Sequence, residues 1–277
     1  MESVTLPDGE KVPALGMGTW GMGEDPARRP TEIAAVRLGV ELGLTLVDTA
    51  EMYGEGRTEQ FLGEALAGMR DRVFLVSKVY PHNASRTGVV RACEASLRRL
   101  RTDRLDLYLL HWPGNEPLAE TVAGFETLKA AGKIRHWGVS NFDTGDMEDL
   151  FSVAGGDACA VNQVLYNLTR RGPEFDLLPW MEAHGVPLMA YSPLEQGGIA
   201  RDGAVAEIAA HHGLTPWQVA LAWVLRRPGT LAIPKASLEA HMRENKAAQA
   251  LRLTEAERAL LDAQFAAPRR KRALEML

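Results

Sequence analysis

Four side chains in this sequence have the types and spacing to move a proton and stabilise charge: Asp48, Tyr53, Lys78 and His111. A free tyrosine titrates at about 10. An ammonium beside it favours the phenolate, so Lys78 is expected to lower that value. Asp48 would keep Lys78 charged and fix its position. Tyr53 tuned in this way is a usable general acid, and a neutral His111 can donate a hydrogen bond to a substrate oxygen. The set suits reduction of a carbonyl to an alcohol, because the oxygen gains negative charge and needs both polarisation and a proton. No side chain supplies a hydride, which implies a nicotinamide cofactor. Tyr191 could stack on its flat ring, and Ser140, Asn141 and Gln163 could bond a carboxamide.

A bland reading stands beside this one. A lysine near an aspartate is usually a structural ion pair, and a polar residue at a strand end usually marks only the exit into a loop. What favours chemistry is repetition. Apolar runs end in Asp48, Lys78, His111, Ser140-Asn141, Gln163, Tyr191-Ser192 and Lys235. A closed barrel gathers such tips on one face, where barrel enzymes keep their sites.

The elements that would do this can be read from pattern. Short Val/Ile/Leu-rich runs alternate with longer amphipathic stretches, which indicates parallel strands and helical crossovers. Eight strand candidates are Ala14–Thr19, Leu44–Asp48, Val73–Lys78, Leu105–His111, His136–Ser140, Ala158–Leu165, Pro187–Ser192 and Thr230–Lys235. Helices are predicted over Thr31–Leu42 (opened by a Thr cap), Arg57–Gly68, Gly88–Leu100, Leu118–Ala131, Thr144–Val153 and Asp176–Ala183. Ala204–His212 and Thr215–Arg226 supply two where the repeat needs one, and Leu238–Ala250 and Thr254–Phe265 follow. Val4-Thr5-Leu6 and Lys11-Val12-Pro13, joined by a tight Asp8-Gly9 turn, read as a hairpin that could plug the barrel bottom. The expected fold class is α/β: a (β/α)8 TIM barrel with an N-terminal β-hairpin plug and two extra helices, one domain over residues 1–277. An open sheet is the minority reading, since periodicity does not report closure.

With the motifs in order, the sequence resembles the aldo-keto reductase superfamily. The match runs from Gly18-Thr19-Trp20 to Glu244-Asn245, through Asp48-Thr49-Ala50-Glu51-Met52-Tyr53-Gly54, Val76-Ser77-Lys78, Leu110-His111-Trp112-Pro113, Gly138-Val139-Ser140-Asn141-Phe142, Asn162-Gln163, Tyr191-Ser192-Pro193-Leu194 and Ile233-Pro234-Lys235. Each is short, but together they are specific. The resemblance implies NAD(P)H-dependent reduction of aldehydes and ketones. It assigns Tyr53 as proton donor, Lys78 and Asp48 as its partners, and His111 as the group that orients the carbonyl. It assigns Ser140, Asn141 and Gln163 to the carboxamide, and Tyr191 to the stacked face. Ser192 and Leu194 fall to the pyrophosphate path, Lys235 and Ser237 to the adenosine phosphate, and Glu244 and Asn245 to the adenine. Apart from the resemblance, Trp20 and Trp112 follow their strand tips and would flank the substrate together with Tyr80, Trp20 also facing the cofactor; ordinary core or rim packing is the alternative. Many members carry an arginine where this chain has His241. A mostly neutral imidazole lacks the guanidinium fork, and Arg243 lies on a different helical azimuth. Lys235 still favours NADPH, with a smaller preference over NADH.

Other chemistries are weaker. Gly16-Met17-Gly18-Thr19-Trp20-Gly21 fits G-x-G-x-x-G but follows a hairpin and opens no helix, so its glycines read as close backbone packing. No metal site is expected: there is no HExxH, and the adjacent His211 and His212 are expected not to share one site. His82, His136 and His184 read as surface or supporting residues. Trp180, Trp217 and Trp223 read as packing residues. Ser192 lacks a nucleophile elbow. Two readings from other classes stand against the reductase: a non-catalytic nicotinamide-binding regulator, and a cofactor-free lyase using Lys78. The second needs a deprotonated lysine, which Asp48 opposes. A short loop after His111 and a chain that ends soon after its last helix predict an open mouth without long lids, and broad specificity.

Bulk properties bound the partners. Net charge is −5 over 277 residues, which suggests neither a nucleic-acid nor an anionic-membrane partner. The basic run Arg269–Arg272 reads as a solvated end. Cys93 and Cys159 form no CxxC pair, so neither a disulfide framework nor a zinc-thiolate site is expected. No signal peptide or membrane span is apparent. A cytoplasmic monomer acting on a small carbonyl compound is the default.

Overall fold

The computed structural model describes residues 2–199 and 203–277. Two short strands, β1 (Ser3–Thr5) and β2 (Lys11–Pro13), pair antiparallel. Gly9 sits at φ +95° in their turn, where its amide donates to the Leu6 carbonyl, and the Leu6 amide donates to Glu10. The loop is therefore Pro7-Asp8-Gly9, a three-residue turn closed by a left-handed glycine, rather than a two-residue Asp-Gly turn.

Eight strands follow, all parallel, in the order β3 to β10 around one sheet. They are β3 (Met17–Gly18), β4 (Leu46–Asp48), β5 (Phe74–Val79), β6 (Leu105–Leu110), β7 (Ile134–Ser140), β8 (Asn162–Leu165), β9 (Leu188–Tyr191) and β10 (Thr230–Ala232). Bridges Leu15↔Ala232 and Gly18↔Lys235 join the last strand to the first, so the sheet closes. The seam explains the first glycines. A Cβ on Gly16 would lie 2.5 Å from the Leu46 carbonyl oxygen, and one on Gly18 2.7 Å from that of Ile233. These are packing glycines, as the sequence predicts. Several predicted strands run longer than the observed ones. Ala158 belongs to a 3-10 turn (Gly156–Ala158) rather than to the sixth barrel strand.

Helices α1 (Arg29–Glu41), α2 (Arg57–Ala65), α3 (Arg86–Leu100), α4 (Leu118–Ala130), α5 (Thr144–Ser152) and α6 (Leu177–Ala183) follow successive strands. Then come α7 (Ala204–His212), α8 (Pro216–Leu225), α9 (Glu239–Ala248) and α10 (Glu255–Gln264), so α7 and α10 are the two extras. Thr215 and Thr254 form capping boxes with Gln218 and Glu257, which satisfies amides that would otherwise lack partners. The Thr31 cap is corrected. α1 begins at Arg29, its N-cap Arg28 makes no side-chain cap bond, and Pro30 occupies the first turn. A proline there has no amide to leave unpaired and is already set at a helical φ, so the helix starts two residues early. Among the described residues, no helix is long and apolar enough to cross a membrane.

Two apolar layers result. One lies between strands and helices. The other fills the barrel, where Leu46, Val76, Leu109, Met189 and Ile233 form one cluster with Val4, Leu6 and Val12 of the hairpin. The hairpin is thus the plug. It is latched from β7: Arg135 Nη2 donates to Glu10 Oε2 at 2.6 Å, and His136 Nε2 meets the same oxygen at 2.6 Å. Strand alternation then sets what stands above the plug. Two residues beyond Leu46, Val76, Leu109, Met189 and Ile233 come Asp48, Lys78, His111, Tyr191 and Lys235.

Leu6 is 2% exposed within the plug. Leu6→Ala should lower the unfolding free energy by about 2–5 kcal/mol, read as a lower urea midpoint. An unchanged midpoint would mean that the hairpin is not part of the barrel core.

Candidate active site

Lys78 sits at the centre of the upper layer and is fully buried. Its ammonium donates to Asp48 Oδ2 at 2.8 Å, to the Thr49 carbonyl at 2.9 Å and to the Tyr53 hydroxyl at 3.0 Å. All three ammonium protons are therefore used. Asp48 Oδ1 accepts from Gln163 Nε2 at 2.8 Å. Both carboxylate oxygens thus accept from N–H donors, the pattern of an ionised group.

The electrostatics follow from burial and this geometry. Burial alone would push Lys78 down, but Asp48 and Tyr53 outweigh it and hold the ammonium above the ordinary lysine range. For Asp48, burial is the largest influence and holds the carboxyl above the ordinary aspartate range, while Lys78 and Gln163 pull it back down. The expected lowering of Tyr53 is corrected. Burial is the largest influence and holds the phenol above the ordinary tyrosine range; Lys78 pulls it down, and Asp48 pushes it up again. Taking the phenolate out of water costs more than one already paired ammonium returns. Tyr53 is accordingly protonated in the free protein, which is the state a proton donor needs.

His111 lies beside this group, with its ring 6.0 Å from the Tyr53 ring in an edge arrangement. Burial, and then the Lys78 charge, drive its pKa from 6.5 to about 2. Its Nδ1 is buried and has no hydrogen-bond partner among the described residues. A buried polar atom left unpaired is costly, and such atoms are commonly satisfied by water or a ligand.

Local backbone geometry sets Tyr53. It opens a 3-10 turn (Tyr53–Gly56) in which Gly54, Glu55 and Gly56 all take positive φ, at 56°, 55° and 87°. That left-handed run turns the chain sharply before α2 and keeps Tyr53 over the strand tips. Glu55 carries the strain, since a side chain disfavours that region.

The predicted cofactor shelf is assembled on the tips of β7, β8 and β9, but its members bond one another. Ser140 Oγ donates to the Gln163 carbonyl at 2.9 Å, and Asn141 Nδ2 donates to the His111 carbonyl at 3.0 Å. The Tyr191 hydroxyl donates to Asn141 Oδ1 at 3.0 Å. Gln163, assigned by the resemblance to a carboxamide, donates its Nε2 to Asp48. Asn141 and Ser192 sit at φ +58° and +45°, and Leu194 is half-buried in the loop after β9. Lys235 and Ser237 leave β10, and His241, Glu244 and Asn245 lie on α9, with His241 exposed and Asn245 buried. On the substrate side, Tyr80 meets Trp112 edge-on at 5.8 Å, His111 lies 4.8 Å from Trp112, and Trp20 is 50% exposed.

Several residues escaped the sequence reading. Glu51 Oε1 accepts the Tyr80 amide at 2.7 Å and Asn83 Nδ2 at 3.2 Å, which ties together two loops of the mouth. Glu59 is fully buried behind β5, where it accepts from Ser77 Oγ at 2.6 Å and Arg99 Nε at 2.5 Å. A carboxylate between Asp48 and Tyr53 was a visible signal for Glu51; Glu59, inside a helix, offered none.

The segment after α10 packs back on the rim loops: Lys271 pairs with Asp176 at 3.0 Å, and Arg170 pairs with Glu275 at 2.8 Å. Elsewhere, His211 Nδ1 and His212 Nε2 both reach Glu257 Oε1, at 3.5 and 2.6 Å. Adjacent imidazoles converge because each uses a different ring nitrogen, against the sequence expectation. Glu257 meanwhile caps α10 through Thr254. His136 is a buried latch on the plug, whereas His82 and His184 stack on Tyr80 and Trp180.

Comparison with known proteins agrees with this geometry. A sequence model described as "Aldo/keto reductase family" matches residues 14–264. The methylglyoxal reductase YeaE of Escherichia coli (strain K12) is 55% identical over 271 residues, covering 96% of this chain and 95% of that protein. A glyoxal reductase of Bacillus subtilis (strain 168) is 33% identical over 249 residues, covering 88% of this chain and 86% of that protein. A crystal structure of an aldo/keto reductase from Klebsiella pneumoniae, in complex with NADP and acetate, superposes with a TM-score of 0.96 at 52% identity, covering 99% of each chain. The chain belongs to the aldo/keto reductase family.

His111 leads to a test. Its pKa is 6.5 when free and about 2 in the fold. Above 6.5 the folded and unfolded chains both hold it neutral, and stability is fully present. As pH falls from 6.5 toward 2, the unfolded chain takes up a proton that the fold refuses, and stability is lost. His111→Gln removes that contribution, so the wild-type Tm should fall more steeply than the variant's below pH 6.5. Parallel curves would show that His111 is not held neutral.

Proposed function

We propose that this protein is an NADPH-dependent reductase of small aldehydes and ketones, with Tyr53 as the proton donor. The observation that carries the reading is the Lys78 ammonium, 2.8 Å from Asp48 and 3.0 Å from the Tyr53 hydroxyl, beside a neutral His111. NADPH, when bound, supplies the hydride. The residues present suit that group: Tyr191 offers a half-exposed ring above Ser140, Asn141 and Gln163, and Lys235 and Ser237 stand at the opening of α9, where an anion is favoured.

The substrate carbonyl oxygen accepts from the Tyr53 hydroxyl and from an imidazole N–H of His111. These donors oppose the charge that develops on that oxygen. Tyr53 then gives up its proton, and the phenolate left behind is met by the Lys78 ammonium. Asp48 keeps Lys78 charged and aimed, and Gln163 keeps Asp48 aimed. Tyr80, Trp112 and Trp20 make an apolar mouth that suits small carbonyl compounds over highly charged ones. The named activities of the Escherichia coli and Bacillus subtilis relatives favour 2-oxoaldehydes such as methylglyoxal and glyoxal. Ser192 and Leu194 would follow the pyrophosphate, and His241, Glu244 and Asn245 the adenosine. NADPH is expected to be preferred over NADH, and a broad range of small aldehydes to be accepted.

The test is turnover with NADPH across a panel of small aldehydes including methylglyoxal, followed by loss of nicotinamide absorbance. Tyr53→Phe should lower kcat by about 10²–10⁴-fold, the usual weight of a general acid, while the Kd for NADPH stays near wild type. Full activity in that variant would remove Tyr53 as the donor. Cofactor binding by the wild type without any turnover would favour the regulator instead.

A further inference from the structure

Strands β3 and β10 are neighbours across the barrel seam, joined at Gly18↔Lys235. The helices that follow them, α1 and α9, must therefore begin side by side on the same rim. The two helices also pack on one another further along: at Gly39, in the last turn of α1, an added Cβ would lie 3.2 Å from Met242 Sδ, near the start of α9. Arg28 is the N-cap residue of α1. It opens α1 on the same rim that Lys235 and Ser237 reach as they leave β10. The loop between β3 and α1 closes the gap, since a Cβ on Gly21 would lie 3.6 Å from Lys235 Nζ.

Arg28 is held but not consumed. Its Nη2 lies 3.5 Å from Glu32 Oε1, and its side chain is 53% exposed. Glu32 is itself fixed, because its other oxygen accepts the Gly23 amide at 2.8 Å. Among the described residues this is the one ion-pair contact of the guanidinium, which leaves N–H donors of its fork for a further anion. Burial, and next the Arg28 charge, hold Lys235 below the ordinary lysine range, with Glu32 and Glu24 acting the other way. Two cations on one rim repel unless an anion lies between them.

We infer that Arg28 is a specificity-determining residue for NADPH: reaching across the seam from the start of α1, it grips the 2′-phosphate together with Lys235 and does the work of the guanidinium that His241 lacks. The inference rests on the NADPH reading above. It revises the expectation of a weakened NADPH preference, because a phosphate between a fork and an ammonium is bound by both shape and charge.

The experiment compares two nucleotide probes by titration calorimetry, adenosine 2′,5′-bisphosphate and adenosine 5′-monophosphate, on wild type, Arg28→Ala and Arg28→Lys. Wild type should prefer the bisphosphate. Arg28→Ala should weaken the bisphosphate by about 10–100-fold, the scale of a lost charge-assisted contact, and leave the monophosphate within about 2-fold. Arg28→Lys should fall between, since it keeps the charge and loses the fork. In steady-state assays the KM for NADPH should rise in Arg28→Ala while the kcat and the KM for NADH hold. Arg28 is exposed and outside the helix body, so a Tm near wild type is expected. A wild type that prefers the bisphosphate, with Arg28→Ala unchanged, overturns the role of Arg28. A wild type indifferent to the 2′-phosphate overturns the NADPH reading itself, and this inference with it.

Discussion

A lysine ammonium with no access to water is the constraint on which the upper half of this molecule depends. Lys78 is buried with Asp48, and its three protons end on Asp48, the Thr49 carbonyl and Tyr53. A buried pair is weak support for stability, because desolvating two charges can cost as much as their attraction returns. Removing one partner is another matter, at about 3–5 kcal/mol, since it strands a charge. The pair therefore demands a complete surround. Gln163 on β8, Thr49 after β4 and Tyr53 in its left-handed turn supply it. What this arrangement achieves is chemical: a protonated phenol and a fixed cation next to a neutral imidazole.

The barrel makes that surround possible through strand alternation. In β4, β5, β6, β9 and β10 an apolar residue packs against the hairpin plug, and the residue two further on is polar and at the mouth. The plug and the site are consecutive layers of one column. This is why the hairpin, remote from the chemistry, belongs to the same apolar cluster as Val76 and Ile233, which stand directly below Lys78 and Lys235. Behind β5, the buried Glu59 bonds Ser77 and Arg99, so the strand that carries Lys78 is held from both faces.

The loops after the strands are less regular and decide the shape of the mouth. Glu51 joins the turn that carries Tyr53 to the loop that carries Tyr80. Arg170 bonds both Glu195, in the loop after β9, and Glu275, near the end of the chain. The last segment is thereby held against the loop after β9. Family membership and shared architecture agree with the site geometry, and the shape of this mouth is set by contacts between its loops.

The sequence by itself determined the architecture and the polar group at the rim. Eight apolar runs with polar tips, separated by amphipathic stretches, specify strands buried on both faces and a common rim, because alternation and length are local properties. Asp48, Tyr53, Lys78 and His111 were legible for the same reason, each standing at or just beyond a strand tip. Tertiary structure decided what depends on distant neighbours. The balance of charges on Tyr53 follows from burial, which no local pattern reports. Gln163 as a partner of Asp48, Glu59 behind Ser77, the early start of α1 and the convergence of His211 and His212 on Glu257 all arise from contacts between elements far apart in the chain. Arg28 is the plainest case: nothing in its local sequence marks it, and only closure of the seam brings the start of α1 onto the rim that Lys235 occupies.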